Sequence, residues 1–258
     1  MLRAFSTAAT GMMAQQMIVD TIANNLANMN TTGFKRSQVD FQDLMYVKLR
    51  EAGAEAAAGV VAPTGLEIGS GVKAAGTTKV YTQGEQEKTD RSLDVSIQGE
   101  GFFQVTTPAG EIRYTRGGNF NINADGNLVT SNGDTLGITI PAGTKSISIA
   151  ADGTVSVTTS TGTSNVGSLQ LVRFMNPAGL SSQGDNLLSE TAASGSPTAG
   201  TPGQDGLGTL QQGFLERSNV QMVTELVNLI KAQRAYEINS RAIRAGDDML
   251  TTANQLVR

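Results

Sequence analysis

Residues 223–256 read VTELVNLIKAQRAYEINSRAIRAGDDMLTTANQL and place apolar or small side chains three or four residues apart along one stripe. Nine steps cover the 33 residues from Val223 to Leu256, and this periodicity of about 3.67 predicts a nearly straight or slightly right-handed supercoil. With Ser218 as N-cap, a helix of about 40 residues is about 60 Å long. That exceeds the core of a domain of this size. The members of the stripe are Val223, Val227, Ile230, Ile238, Ala242, Ala245, Met249 and Leu256, with Arg234 and Thr252 in the gaps.

The first 26 residues repeat this design. Their stripe consists of Leu2, Phe5, Ala9, Met12, Val19, Ala23 and Leu26, with Gln16 in one position. The rest of the segment is polar but carries only Arg3 and Asp20 as charges, which favours burial between neighbours over exposure to water. Residues 28–33, NMNTTG, predict the end of the helix, because Asn and Gly tolerate the left-handed conformation of a helix C-cap. The two ends either pair within one molecule or also present their stripes to other copies, and their length favours the second arrangement.

Between these helices the pattern changes to period two or to short apolar runs, which predict strands. The predicted strands are 93–97, 102–105, 128–129, 138–140, 147–149, 155–157 and 169–172. Asp125-Gly126 and Asp152-Gly153 predict two-residue hairpin turns with positive φ. We therefore expect an α+β fold in which long N- and C-terminal helices form a coiled-coil domain, with an inserted β-rich domain of short antiparallel strands that is a small sandwich or barrel.

Two segments have the composition of connectors. Residues 50–76 are rich in Ala, Gly and Val, and residues 191–208 are rich in Ser, Thr, Pro and Gly. Such segments are flexible linkers or extended packing segments ordered by neighbouring subunits. The predicted division has three parts: a terminal helical coiled-coil domain (1–33 with 215–258), an extended connector domain (34–80 with 200–214) and an outer β domain (81–199).

The composition argues against several classes of function. A net charge of −4 without a basic cluster disfavours nucleic acid and an electrostatic membrane anchor, and no apolar run is long enough for membrane insertion. The chain has neither histidine nor cysteine, which excludes His-based triads, common zinc sites and thiolate chemistry. We predict no catalytic, cofactor-binding or metal-binding residue, hence a structural protein and not an enzyme. The N-terminus does not have the pattern of a cleaved secretion signal.

Short chemical motifs carry little weight. The segment 99–103, GEGFF, matches half of a dinucleotide-binding fingerprint, but no helix is predicted after it. Residues 70–73, SGVK, match the S-x-x-K spacing by chance, because they lie among glycines and not at a helix start. Asp125 and Asp152 are turn residues rather than calcium ligands, since neither belongs to an EF-hand loop pattern.

Longer motifs at both ends of the chain resemble the sequence signatures of a known protein family. They are IANNLAN (22–28), TGFK (32–35), SNV (218–220), ELVNLI (225–230) and QRAYEINS (233–240). Together with LDV (93–95), GEGFF (99–103), YTR (114–116) and Phe120, they are similar to the signatures of the bacterial flagellar rod and hook axial proteins over nearly the whole chain. The signature residues are Asn24, Asn25, Leu26, Asn28, Gly33, Phe34, Lys35, Gln233, Arg234, Ala235, Tyr236 and Asn239.

The resemblance implies a structural subunit that polymerises into a rigid, torque-transmitting shaft. Within the family, length and segment 46–71 resemble subunits of the distal rod, whereas the hook protein carries larger outer domains. The implied location is the flagellum basal body, from the periplasm to the outer membrane, after export without a cleaved signal peptide. The implied partners are the chain itself as a helical homopolymer, the proximal rod proteins, the hook protein, the basal-body bushing rings and the flagellar type III export apparatus.

Two alternatives remain at this point. One is another rod or hook subunit of the same family. The other is a periplasmic glycan-binding or hydrolytic module, which the absence of Trp and the presence of only four Tyr disfavour, because sugars stack on aromatic side chains. The predicted self-assembly interface consists of Phe5, Met12, Val19, Leu26, Val223, Val227, Ile230, Ile238 and Met249.

Overall fold

A computed structural model of the chain describes residues 2–53, 55–57, 60–61, 63–160 and 162–256. The chain forms two compact units. The first unit comprises Met1–Leu26, Ser37–Thr78 and Gln221–Arg258, and the second comprises Ala27–Arg36 and Lys79–Val220. The division into three domains stays a prediction.

The first unit contains both long helices and six strands within its described residues. Its elements are α1 (Leu2–Ala27), β1 (Ser37–Asp43), β2 (Val47–Arg50), β3 (Glu55–Ala57), β4 (Val60–Val61), β5 (Leu66–Ile68), β6 (Val72–Lys79) and α2 (Met222–Leu256). Strand β1 pairs with β6, β2 pairs with β5, and β3 pairs with β4. The last two pairs are antiparallel, so much of the Ala- and Gly-rich segment 50–76 is β-structure rather than a linker without regular structure.

The predicted coiled-coil domain is wrong. A coiled coil buries its apolar stripe against the partner helix, but the stripe of α2 is exposed at Val223, Val227, Ile230, Ile238 and Met249. The two helices instead approach each other closely at positions where one of the two contacting residues is glycine. A Cβ atom built on Gly246 would lie 2.8 Å from the ring of Phe5, and one built on Gly11 would lie 3.0 Å from Nδ2 of Asn239. The helices also share their unit with strands, so they are not a separate pair of coiled-coil arms.

The second unit is built mainly from strands. They are β7 (Gln86–Lys88), β8 (Val95–Gln98), β9 (Phe102–Thr106), β10 (Ile112–Thr115), β11 (Asn121–Ile122), β12 (Asn127–Val129), β13 (Thr135–Thr139), β14 (Ser146–Ile149), β15 (Thr154–Thr159), β16 (Gly162–Ser168), β17 (Leu171–Arg173), β18 (Ser181–Gly184), β19 (Leu187–Ser189), β20 (Thr198–Gly200), β21 (Thr209–Gln212) and β22 (Phe214–Glu216), with a short 3-10 helix at Pro177–Gly179.

Strand β9 lies inside the largest sheet of this unit. The sheet runs β11-β12-β13-β9-β10-β19-β18, and β17 joins β9 to β20. Strands β14-β15-β16 form a second sheet, while β8 pairs with β21 and β7 with β22. The strands predicted from the sequence all have counterparts here, but the prediction omitted β7, β10, β11, β16 and the strands of residues 181–216.

Two hydrophobic cores form because successive side chains of a strand point to opposite faces. Phe103 joins the larger cluster and meets Phe120 edge to face at 5.1 Å between ring centroids. Its neighbour Phe102 joins the smaller cluster, where its ring lies 5.5 Å from that of Tyr81 and 5.9 Å from that of Phe174. The second unit therefore buries apolar side chains on both sides of β9.

The predicted positive φ at two hairpin glycines is confirmed, with +83° at Gly126 and +86° at Gly153. The predicted loop length of two residues is wrong. In the first hairpin, the backbone N–H of Gly126 donates to the carbonyl of Asn123 at 3.0 Å, and the N–H of Asn123 donates to the carbonyl of Asn127 at 3.0 Å. This pattern is a longer loop that ends with glycine in the left-handed conformation.

The two units differ in how much apolar surface they bury. Among the described side chains of the first unit, the buried hydrophobic residues are Ala14, Ile22 and Ala232, whereas both core clusters belong to the second unit. The first unit therefore has little hydrophobic core of its own. This affects its helices, because isolated helices gain most of their stability from packing.

This difference predicts local opening in the free subunit. We expect amide hydrogens in the middle of α2 to exchange with deuterium at least about tenfold faster than those of β9, because segments with few buried apolar contacts open without global unfolding. Hydrogen-exchange mass spectrometry of the monomer measures both segments in one experiment. Equal protection of α2 and β9 contradicts this account.

Candidate functional site

The stripe of α2 is an exposed apolar feature of the first unit. All five predicted interface residues on this helix are between 45% and 74% exposed: Val223, Val227, Ile230, Ile238 and Met249. The side of α2 that is buried within the chain carries smaller or polar residues, namely Glu225, Ala232 and Gly246. Large exposed apolar patches usually mark an interaction site. We call these five residues the α2 stripe.

The predicted interface residues of helix α1 are less exposed than those of α2. The four predicted interface residues Phe5, Met12, Val19 and Leu26 are half-buried, and the buried positions of the helix are Ala14, Ile22 and Asn25. The most exposed large apolar residues are Met13 and Met17, which lie one helical turn apart. This pair is not among the predicted interface residues, although its i,i+4 spacing is visible in the sequence.

A third exposed apolar surface lies on the β2–β5 hairpin. Val47 lies opposite Ile68 and Arg50 lies opposite Leu66, while Lys48 and Glu67 pair with each other. Because Leu66 and Ile68 are two residues apart, they point to the same face, and both are exposed. A two-stranded ribbon cannot cover its own face, so this surface needs another partner to become buried. Its neighbours Met45, Tyr46 and Leu49 are also exposed.

An open groove continues this hairpin surface toward α1. The groove has a volume of about 830 Å³ and is lined by Arg3, Ala4, Thr7, Ala8, Ile68, Gly69 and Asn239. Most of these side chains are small or apolar, with one cation at the edge. The hairpin surface and the first two turns of α1 are thus neighbours in the first unit.

The signature residue Asn25 anchors the end of α1. It is 1% exposed, and its Nδ2 donates to the carbonyl of Ser37 at 2.9 Å. Its Oδ1 accepts from the backbone N–H of Ser37 at 2.9 Å, so the carboxamide bonds both backbone groups of the first residue of β1. Aspartate could not make both bonds while ionised, because it has no N–H donor.

Signature residues on α2 are mostly exposed. Gln233, Arg234 and Tyr236 face solvent, whereas Ala235 and Asn239 are half-buried. On α1 the side chain of Asn24 is exposed. The carboxamide of Asn239 lies against Gly11 of α1.

In the second unit the signature Lys35 belongs to a buried ionic cluster. One carboxylate oxygen of Glu216 accepts from Lys35 Nζ at 2.6 Å and from the backbone N–H of Gly84 at 2.9 Å. The other accepts from Arg116 Nε at 2.7 Å. All three ionic side chains are at most 6% exposed. We call Lys35, Arg116 and Glu216 the buried triad.

Backbone carbonyls accept further hydrogen bonds from the two cations. Lys35 Nζ also donates to Thr82 O at 2.7 Å. Arg116 donates through Nη1 to Gly101 O at 2.8 Å and through Nη2 to Gly99 O at 2.5 Å. These bonds compensate part of the cost of moving charged groups out of water.

The triad shifts the acid–base equilibria of its members. Burial on its own raises the pKa of Glu216, but the charges and hydrogen bonds of Arg116 and Lys35 outweigh burial and hold the pKa below its usual value. Burial lowers the pKa of Lys35, against the opposing attraction of Glu216. Glu216 is therefore an anion at neutral pH, and its carboxylate accepts hydrogen bonds only.

Three other signature residues, Asn28, Gly33 and Phe34, belong to the segment that leads to Lys35 of the triad. Gly33 has a φ of +71°, and a Cβ atom there would lie 2.7 Å from the backbone of Arg116 and Gly117. Its N–H donates to the carbonyl of Glu216 at 2.8 Å. Phe34 is buried beside it, and Asn28 caps the preceding turn by accepting from Thr31 at 3.1 Å. Glycine is required at position 33 because any side chain would be strained and would clash.

The triad was not predicted from the sequence. Lys35 was expected as a signature residue and Arg116 as part of a family motif, but Glu216 had no predicted role. The available hint was a charged residue at the end of an apolar strand, as in Phe214-Leu215-Glu216. The partners lie up to 181 residues apart in the chain, so spacing could not pair them.

No described residues form a cluster of three or more metal-ligating His, Cys, Asp or Glu side chains. Within the same described part of the chain, neither helix combines the length and apolar character of a membrane span. The GEGFF segment leads into β9 and the SGVK segment into β6, so each precedes a strand and not a helix.

The triad generates a test of stability. Replacing Glu216 with Gln leaves two buried cations without an anion, and we expect the free energy of unfolding to fall by about 3–5 kcal/mol. Chemical denaturation of the purified chain measures this change. The matched control is Glu87→Gln, which removes an exposed carboxylate 3.6 Å from Arg217 and should cost less than about 1 kcal/mol. Equal effects of the two substitutions contradict a structural role for the triad.

Three family models match the N-terminal, central and C-terminal parts of the chain. The model described as "Flagella basal body rod protein" matches residues 5–35. The model "Flagellar hook protein FlgE/F/G D1 domain" matches residues 96–157. The model "Flagellar basal body rod FlgEFG protein C-terminal" matches residues 211–256. The first match covers α1 from its fourth residue onward, the last match contains α2, and the middle one begins inside β8.

Full-length relatives extend the similarity to the whole chain. The flagellar basal-body rod protein FlgG of Buchnera aphidicola from Acyrthosiphon pisum is 49% identical over 251 residues, which cover 96% of both chains. FlgG of Borreliella burgdorferi is 47% identical with 100% of both chains covered, and FlgG of Caulobacter vibrioides is 46% identical with 99% of both covered. By this identity over its full length, the chain belongs to the family of the flagellar basal-body rod proteins FlgG.

Proposed function

We propose that this chain polymerises with copies of itself into the distal rod of the bacterial flagellar basal body, a rigid shaft that transmits torque from motor to hook. The observation that carries this proposal is the exposed α2 stripe. A helix with five large apolar residues facing water buries them most simply against other subunits. Relatives of the same length are named rod proteins, which supports assembly into a rod.

The small core of the first unit supports the same proposal. Its helices carry much of their apolar surface on the outside, so contact with neighbouring copies would supply the burial that the free chain lacks. In this proposal Phe5, Met12, Val19 and Leu26 of α1 act with the α2 stripe as the self-assembly interface. The four α1 residues are half-buried, so they contribute the portion of their surface that remains exposed.

The β2–β5 hairpin has a separate role in the proposal. Its exposed face, with Leu66 and Ile68, makes lateral contacts between neighbouring subunits and keeps the shaft straight. This role was implied by resemblance for segment 46–71, and the exposed apolar face of the hairpin supports it. A laterally packed ribbon resists bending because its contacts must slide when the shaft curves.

The proposed setting follows from the rod. The subunit would pass through the flagellar type III export apparatus, join proximal rod proteins at one end and the hook protein at the other, and turn inside the bushing rings. Its role would be structural and not catalytic. The absence of His and Cys from the whole sequence supports this, since these residues supply the usual bases and nucleophiles.

The α2 stripe provides the direct test. Ile230→Asp places a charge in the proposed contact between subunits, and we expect it to abolish polymerisation while the monomer stays folded, because Ile230 is 50% exposed. Ile112→Asp is the matched control, since Ile112 is also 50% exposed but lies on β10 in the second unit. Electron microscopy and sedimentation of the concentrated proteins measure assembly, and circular dichroism measures folding.

The pair of variants gives distinct outcomes. Loss of polymers in Ile230→Asp alone supports assembly through α2. Normal polymers from a folded Ile230→Asp variant, or normal rod length and motility when it replaces the natural protein in cells, contradict the proposal.

The hairpin generates a second test. Leu66→Ser with Ile68→Ser removes the apolar face without changing the strand pairing, so we expect polymers that still form but are curved. Lys48→Ser with Glu67→Ser is the control, because it removes a pair on the other face of the same ribbon. Filament curvature in electron micrographs is the measurement. Straight polymers from the Leu66 and Ile68 variant contradict a straightening role of the hairpin.

A further inference from the structure

Methionine is the only sulfur-containing residue type in this chain. The sequence has nine methionines and no cysteine, and it also lacks tryptophan. A peroxide therefore meets thioethers as its most reactive targets, without competition from thiols. Oxidative chemistry of this protein depends on where its methionines lie.

Most of these methionines are exposed. Of the eight whose side chains the structure describes, Met12 and Met29 are half-buried and the other six are exposed. The exposed ones are Met13, Met17, Met45, Met175, Met222 and Met249, and they range from 46% to 94% in exposure. Exposed large apolar side chains with flexible, polarisable stems are typical of binding surfaces that must adapt to a partner.

The exposed methionines are concentrated on the first unit. Met13 and Met17 lie one turn apart on α1, Met222 and Met249 lie on α2, and Met45 lies two residues before β2. Four of the five are therefore on the two helices, and Met249 belongs to the α2 stripe. Met175, at 94% exposure, is the one in the second unit among the described residues. Met249 therefore lies in the proposed self-assembly interface, and Met13, Met17 and Met222 are further exposed apolar side chains on the two helices that carry this interface.

We propose that Met13, Met17, Met222 and Met249 are a peroxide-sensitive modification site that switches off assembly of the free subunit. In each reaction the thioether sulfur attacks one oxygen of hydrogen peroxide, the O–O bond breaks, and a sulfoxide and water form. The sulfur loses two electrons, the peroxide gains them, and no other co-reactant is needed. Methionine sulfoxide reductases reverse the change.

The effect on assembly follows from polarity. A sulfoxide is a polar, strong hydrogen-bond acceptor, so burying it in an apolar contact without a donor is unfavourable. Four such groups on the helices raise the concentration required for polymerisation by about tenfold or more. The monomer keeps its fold, because these side chains are exposed and contribute little to its core. The inference rests on the proposed self-assembly.

The experiment uses the full chain and hydrogen peroxide. The natural protein is treated with increasing doses, oxidation of each methionine is mapped by peptide mass spectrometry, and polymer yield is measured by sedimentation and electron microscopy. One variant carries Met13→Leu, Met17→Leu, Met222→Leu and Met249→Leu, which keep apolar character and similar volume. The control variant carries Met175→Leu alone.

We expect peroxide to suppress polymers of the natural protein and of the Met175→Leu control, and to leave the four-leucine variant assembling. Methionine sulfoxide reductases should restore assembly of the oxidised natural protein, a readout that needs no variant. Normal polymer yield after complete oxidation of the four helical methionines overturns the inference, and so does equal inhibition of the four-leucine variant. Untreated natural protein that never assembles instead contradicts the proposed function.

Discussion

The carboxylate of Glu216 joins parts of the second unit that are far apart in sequence. It accepts from Lys35, Gly84 and Arg116, and its own backbone carbonyl accepts from Gly33. Through Arg116 the network reaches the carbonyls that precede β9, the strand between the two hydrophobic cores. Such a cluster adds little net stability compared with apolar packing, but breaking it is costly, so it selects one arrangement of the segments it joins. The left-handed Gly33 and the close approach at Arg116 are consequences of this arrangement.

In the first unit the main constraint is that α2 has two different faces, one packed within the chain and one exposed. The face that packs within the chain uses Gly246 and Ala232, where small side chains allow close approach. The large apolar residues lie on the exposed α2 stripe. The larger apolar residues are found from the periodicity, because they dominate the pattern. The other terminal helix was then predicted as their partner, because it is the second long helix in the sequence. This is why the pairing of the stripe with α1 in a coiled coil was wrong, while the role of the stripe in self-assembly stays a prediction.

Local features of the fold could be predicted from the sequence to a large extent. Both helices, the strands around Phe102 and Phe103 and the positive φ of Gly126 follow from periodicity and turn chemistry, which act over a few residues. The hairpin of segment 46–71 was not predicted, because Ala and Gly carry little strand preference and its pairing depends on partners about 20 residues apart. The triad depends on contacts between residues such as Lys35 and Glu216, which no local pattern can connect. The resemblance supplied Lys35 without its partner.

The contrast between the units has a physical consequence for the chain as a subunit. A protein that must remain soluble before assembly cannot expose a large apolar surface on a rigid, fully formed scaffold without risking premature association. Here the second unit closes its own cores around β9, while the first unit buries few apolar residues and holds its large ones on helices that gain stability chiefly from packing. Polymerisation would then order and bury the same residues in one step, so the favourable burial offsets the entropy of fixing the helices. A modification that makes those apolar side chains polar has two effects. It weakens the contact between subunits, and it removes the favourable burial that would offset the entropy of fixing the helices.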